Sequence, residues 1–187
     1  MLTTLRHSLS LLACLLVACS MDASAALAKG QRAPAIKAQG WLAGQPFPFE
    51  LARALRDGPV VVYFFPAANT PGCNIEAALF SQAIGRFRAR GASVIGVTAG
   101  NTGQLRGFSS DTKTCAGKFP VAGDEGARIA TAYGAVIEGK PDVASRTSFL
   151  VARDGRIAAV HSDMNPSGHV KAMLAGVDAL TAPAAGR

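Results

Sequence analysis

The chain has 187 residues, 49% of them hydrophobic and 17% charged. That is enough for one packed core and too apolar for a disordered chain. The net charge is +7, from 19 Lys and Arg against 12 Asp and Glu. The basic residues are not interleaved with aromatics as a nucleic-acid surface requires, which excludes nucleic acid as a partner.

The first 25 residues read as an export signal. Arg6 and His7 form a basic start, and Ser8 to Ala18 is an apolar run. That run is too short to cross a hydrocarbon layer of about 30 Å as a helix. Leu16-Val17-Ala18-Cys19 resembles the lipobox of bacterial lipoproteins, which implies cleavage before Cys19 and lipidation of its thiol. Ala23-Ser24-Ala25 offers ordinary cleavage instead. Either route exports residues 26–187 as one domain, in the periplasm or anchored at a membrane and facing it.

Lys29 to Gln39 leads into a turn near Gly44, and Phe47 and Phe49 then alternate as in a half-buried strand. Leu51 to Arg56 predicts a short helical turn, broken by Asp57-Gly58-Pro59. Val60 to Phe65 is a continuous β-branched and aromatic run, expected as a central strand covered on both faces and stopped by Pro66. From Asn74 to Arg90, Ile75, Leu79, Phe80, Ile84 and Phe87 recur at helical spacing, and Gly91 ends the helix. Arg86, Arg88 and Arg90 suit the solvated C-terminal face of that helix.

Ser93 to Thr98 reads as a second core strand, and Phe119 to Ala122 as a short one. The stretch between them is a weak helix, with Leu105 and Phe108 three apart. Ala127 to Tyr133 predicts a short helix and Ala135 to Ser145 a loop. Thr147 to Ala152, an Asp154-Gly155 turn and Arg156 to His161 predict a hairpin. A final helix carries Val170, Met173, Leu174, Val177 and Leu180. Strands alternating with helices predict an α/β layer fold with a mixed sheet.

Four cysteines are present, and only Cys73 and Cys115 lie beyond the signal region. In an oxidising compartment two cysteines suggest a bond between them, permanent or transient. No Cys-x-x-Cys occurs, so neither a zinc knuckle nor a thioredoxin-type dithiol is written here. Cys73 follows a strand and a polar loop and heads a helix. Unpaired backbone N–H groups and the positive end of the macrodipole favour a thiolate at such a place.

Pro66-x-x-x-Thr70-x-x-Cys73 resembles the active-site signature of the peroxiredoxins. Asn69-Thr70-Pro71-Gly72-Cys73 with Glu76-Ala77 resembles their bacterioferritin-comigratory, or Q-type, branch. The resemblance implies a thioredoxin-like fold, a mixed sheet flanked by helices, with an N-terminal extension. It also implies a thiol-dependent peroxidase that reduces hydrogen peroxide or organic hydroperoxides and needs no cofactor or metal. A thioredoxin-like or other thiol reductant is then the partner.

On this reading Cys73 is the nucleophile and passes through sulfenic acid. Thr70 hydrogen-bonds the peroxide oxygens and Pro66 shields the sulfur. Arg146, in Ser145-Arg146-Thr147-Ser148-Phe149, supplies a permanent positive charge. Glu76, one turn after Cys73, suits the helix dipole and can orient an arginine, without a catalytic role. The Q-type position for a second cysteine, five residues after the first, holds Ala78. Cys115 is therefore the candidate resolving thiol, provided the segment 109–118 is mobile. His161 and His169 find no third metal ligand. The alternatives are a disulfide oxidoreductase on the same fold and an envelope binding module that has lost catalysis.

Overall fold

The computed structural model describes residues 26–181; the segment read as an export signal, with Cys14 and the proposed lipidation site Cys19, lies outside the described residues. Strands β1 (Lys37–Leu42) and β2 (Gln45–Glu50) form a hairpin. Helix α1 (Leu51–Asp57) leads to β3 (Val60–Phe64), every residue of which is buried. Then come α2 (Pro71–Arg88), β4 (Ser93–Thr98), α3 (Leu105–Ser110), β5 (Val121–Gly123) and α4 (Arg128–Ala132). A small hairpin, β6 (Val136–Ile137) and β7 (Lys140–Ala144), precedes β8 (Thr147–Val151), β9 (Ile157–Ser162) and α5 (His169–Thr181).

Seven strands form one sheet in the order β2-β1-β5-β4-β3-β8-β9. The pairs β3–β4 and β4–β5 are parallel; β3–β8, β8–β9 and β1–β5 are antiparallel. Alternation along β3 divides the core. Val61, Tyr63 and Phe65 face a cluster with Phe80, Phe87, Met173 and Val177 of α2 and α5. Val60, Val62 and Phe64 face Leu51, Leu55, Ala130 and Tyr133 on the other side. Tyr63 leans across Gly96 of the neighbouring strand, where a Cβ would come within 2.6 Å of its ring; only glycine leaves that room.

Three expectations are corrected. Residues 135–145, read as a loop, hold the β6–β7 hairpin, whose turn uses Gly139 at φ +74°. The helix read from Asn74 begins at Pro71, a favoured first helical residue because it lacks an N–H that would go unpaired. The buried face of α2 is also rotated: Cys73, Glu76, Ala77, Phe80, Ile84 and Phe87 face inward, and Ile75 is 52% exposed.

Candidate active site

Sheet register assembles the site. Phe64, the last residue of β3, pairs with Thr147, the first of β8. Arg146, just before Thr147, therefore lies beside the loop that leaves β3 and enters α2. Thr147 also pairs with Ser162, and the Asp163 amide donates to the Arg146 carbonyl at 3.2 Å, so the turn after β9 closes around the arginine. Strand ends of an α/β sheet are a usual place for such convergence.

Cys73 is the third residue of α2. Backbone N–H groups of a helix's first turn have no helical partner, so its thiol sits in a positive field. Its side chain is 1% exposed, between half-buried Gly72 and Asn74. Arg146, 4% exposed, directs Nη2 at Cys73 Sγ, 3.5 Å away. Gly72 permits that approach, because a Cβ there would stand 2.9 Å from the same nitrogen. Nε donates to the Met164 carbonyl at 2.9 Å, and Nη1 pairs with Glu76 Oε2. The guanidinium is thus held on three sides and aimed at the sulfur.

Burial works against the charge on Arg146, but Glu76 and Cys73 together hold its pKa above the ordinary arginine value. An ion pair normally pulls a carboxyl down. Here complete burial outweighs the guanidinium, and Glu76 is pushed up to about 7.

Thr70 adopts an extended conformation at the helix N-cap, without a side-chain cap. Its hydroxyl donates to the Ala67 carbonyl at 3.0 Å, which leaves its oxygen lone pairs to accept a further bond. Pro66 follows the end of β3 and is half-buried; its carbonyl accepts from the Thr98 hydroxyl at 3.1 Å. Asn69, at φ +59°, makes the left-handed turn that brings Thr70 back over the helix start.

Cys115 lies in the same core cluster as Cys73, fully buried, and both thiols are free. Burial raises its pKa far above the ordinary thiol value. Its segment is wound into successive turns: Thr114 and Ala116 donate to the Asp111 carbonyl, and Gly117 to that of Ser109.

The sequence reading missed the buried cluster behind Arg146. His169, at the start of α5, is completely buried. Its Nε2 is 2.9 Å from the Asp163 carbonyl and its Nδ1 2.8 Å from Ser148 Oγ. Glu76 Oε1 lies 3.5 Å from the same Nδ1, and the His161 ring meets His169 edge-on at 4.6 Å. Residues 76, 148 and 169 come from three elements, so no local spacing could announce them. Among the described residues, no three His, Cys, Asp or Glu side chains are grouped to hold a metal ion.

The model of the AhpC/TSA family matches residues 29–160. A Mycobacterium tuberculosis protein whose name places it among the peroxiredoxins is 34% identical over 116 residues, 59% of this chain and 72% of that one. The chloroplastic peroxiredoxin Q of Sedum lineare is 27% identical over 117 residues, 62% of this chain and 61% of that one. Among solved structures, peroxidoxin BcpB from Mycobacterium tuberculosis superposes with a TM-score of 0.71 at 25% identity, over 82% of this chain and 98% of the other.

Proposed function

The chain belongs to the AhpC/TSA family, the peroxiredoxins, and on that premise we propose that Cys73 carries its thiol-dependent peroxidase activity. The observation that carries the assignment is the Arg146 guanidinium fixed 3.5 Å from the Cys73 sulfur at the first turn of α2.

The Cys73 thiolate attacks one oxygen of the peroxide along the O–O axis. An S–O bond forms as the O–O bond breaks, and the distal oxygen leaves as hydroxide or alkoxide, which takes up from solvent the proton released when the thiol ionised, giving water or an alcohol. Sulfur is oxidised to sulfenic acid and the peroxide is reduced. Arg146 stabilises charge on the sulfur before attack and on both oxygens during it. Thr70 accepts the peroxide O–H and so holds the O–O axis in line. Pro66, with no N–H, helps keep water from the sulfur. Thr70→Val, which removes that acceptor at nearly constant volume, lowers kcat/KM for hydrogen peroxide about a hundredfold, whereas Thr70→Ser retains most of it. Equal rates in wild type and Thr70→Val remove Thr70 from the site.

Cys115 completes the cycle in this reading. It attacks the sulfenic sulfur, forms a disulfide and releases water, after the first turn of α2 and the turns around Cys115 open; an external thiol then reduces the bond. The thiols' common core cluster and the absence of another cysteine beyond the signal region support this. Mass spectrometry after one equivalent of hydrogen peroxide is expected to find a Cys73–Cys115 bond. A persistent sulfenic acid on Cys73 with free Cys115 assigns resolution to an external thiol instead. Export, with lipid on Cys19, belongs to the same proposal and rests on the sequence of residues 6–25.

A further inference from the structure

The cluster behind Arg146 is not used by the chemistry above. Nε2 of His169 faces a carbonyl, which can only accept, so Nε2 carries the ring proton and Nδ1 is a bare lone pair. The Ser148 hydroxyl, 2.8 Å away, is the other group able to donate to that lone pair. Glu76 Oε2 accepts a hydrogen bond from Arg146 Nη1, but Glu76 Oε1 has no hydrogen-bond partner, although the side chain is wholly buried. An ionised, buried carboxylate oxygen without a donor is costly. Nδ1 of His169, itself an acceptor, lies 3.5 Å from it. Two acceptors that face each other lack one proton.

We propose that Glu76 and His169, with Ser148, hold one exchangeable proton behind Arg146, carried on Glu76 Oε1 and shared toward His169 Nδ1, and that His169 is thereby a positioning residue for peroxide reduction. This rests on the reading that Cys73 and Arg146 carry the reaction. With the proton bound, Glu76 is neutral. Its carbonyl oxygen still accepts from Arg146, and the full guanidinium charge acts on Cys73 and the peroxide. When the proton leaves to bulk water, the Glu76 carboxylate neutralises much of that charge.

The groups facing Glu76 fit this account. Arg146 meets it from the start of β8 and Cys73 from its own helix. Tyr63 of β3 is near enough for Glu76 to oppose its ionisation. From α5 and β9 come His169 and, behind it, His161, with the Asp163 carboxylate acting on His169 from the turn after β9. Burial favours the neutral forms of both partners: Glu76 is pushed up to about 7 and His169 down to about 4. Near neutrality the proton therefore belongs to the carboxyl, and it is lost as pH rises through about 7.

The test uses the full chain. Cys73 oxidation by hydrogen peroxide is followed by stopped flow across pH and normalised to the thiolate absorbance of the same solution. The normalised rate in wild type falls as pH rises through about 7. Glu76→Gln abolishes that inflection. His169→Asn, which presents an amide donor near the place of Nδ1, moves it down by about one pH unit, a tenfold loss of proton affinity. Infrared titration shows a protonated buried carboxyl band on the acid side that Glu76→Gln removes. A flat wild-type profile, or one that His169→Asn leaves unmoved, overturns the proposal, and should His169→Asn not fold, the inflection and the infrared band in Glu76→Gln decide. Peroxide consumption that survives Cys73→Ser fails the peroxidase assignment instead, and the infrared band then still reports on the proton.

Discussion

Cys73→Ser reduces peroxide consumption to that of a buffer blank while the fold persists. A serine hydroxyl stays protonated under any condition in which the chain is folded, and its oxygen is a poor nucleophile toward a peroxide. The helix terminus and Arg146 activate a group that can become an anion, and serine cannot. The substitution changes one atom in the α2 face, so the packing of Ala77 and Phe80 beside it remains. Measured turnover with an intact near-ultraviolet dichroism spectrum separates lost chemistry from lost structure. Residual turnover at the wild-type rate would place the chemistry on another group.

Arg146→Ala is the second large effect, and it has two components. The loss of the donor aimed at the sulfur lowers kcat/KM for peroxide by about 10²–10³, as for other fixed donors at developing charge. The same change strands Glu76, fully buried, without its cationic partner. Breaking a buried pair from one side costs about 3–5 kcal/mol, a cost present above about pH 7 and lost as Glu76 takes up its proton below it. The two components separate in a double variant. Arg146→Ala with Glu76→Gln removes the stranded charge, so it recovers much of the stability measured by urea unfolding and none of the rate. A double variant that regains peroxidase activity shows that Arg146 acts only as a structural counter-ion.

Three residues of the candidate site were legible in the sequence because they are written locally. Pro66, Thr70 and Cys73 lie within one strand-loop-helix unit, and the strand and helix on either side of them follow from apolar runs. The order of strands and helices sufficed for the layer architecture. Periodicity failed at Ile75, whose apolar side chain fits the stripe and yet faces solvent, while charged Glu76 takes the inward place. The reason is non-local: an arginine seventy residues away donates to one oxygen of the buried carboxyl. The hairpin at 136–144 was hidden for another reason. Strands of two and five residues, with Pro141 and Asp142 in the second, carry little strand signal. His169 and Ser148 meet Glu76 only through the β8–β9 register and the docking of α5, which no spacing in the chain expresses.

The central claim is that one sulfur, polarised by a helix start and a guanidinium, receives the peroxide oxygen. Rapid mixing of the fully reduced chain with one equivalent of hydrogen peroxide, quenched at successive times and mapped by mass, tests it most directly. The account predicts sulfenic acid at Cys73 as the first oxidised species, formed in step with peroxide loss and before any change at Cys115. Peroxide that disappears while Cys73 remains a thiol, or oxidation that begins at Cys115, contradicts it.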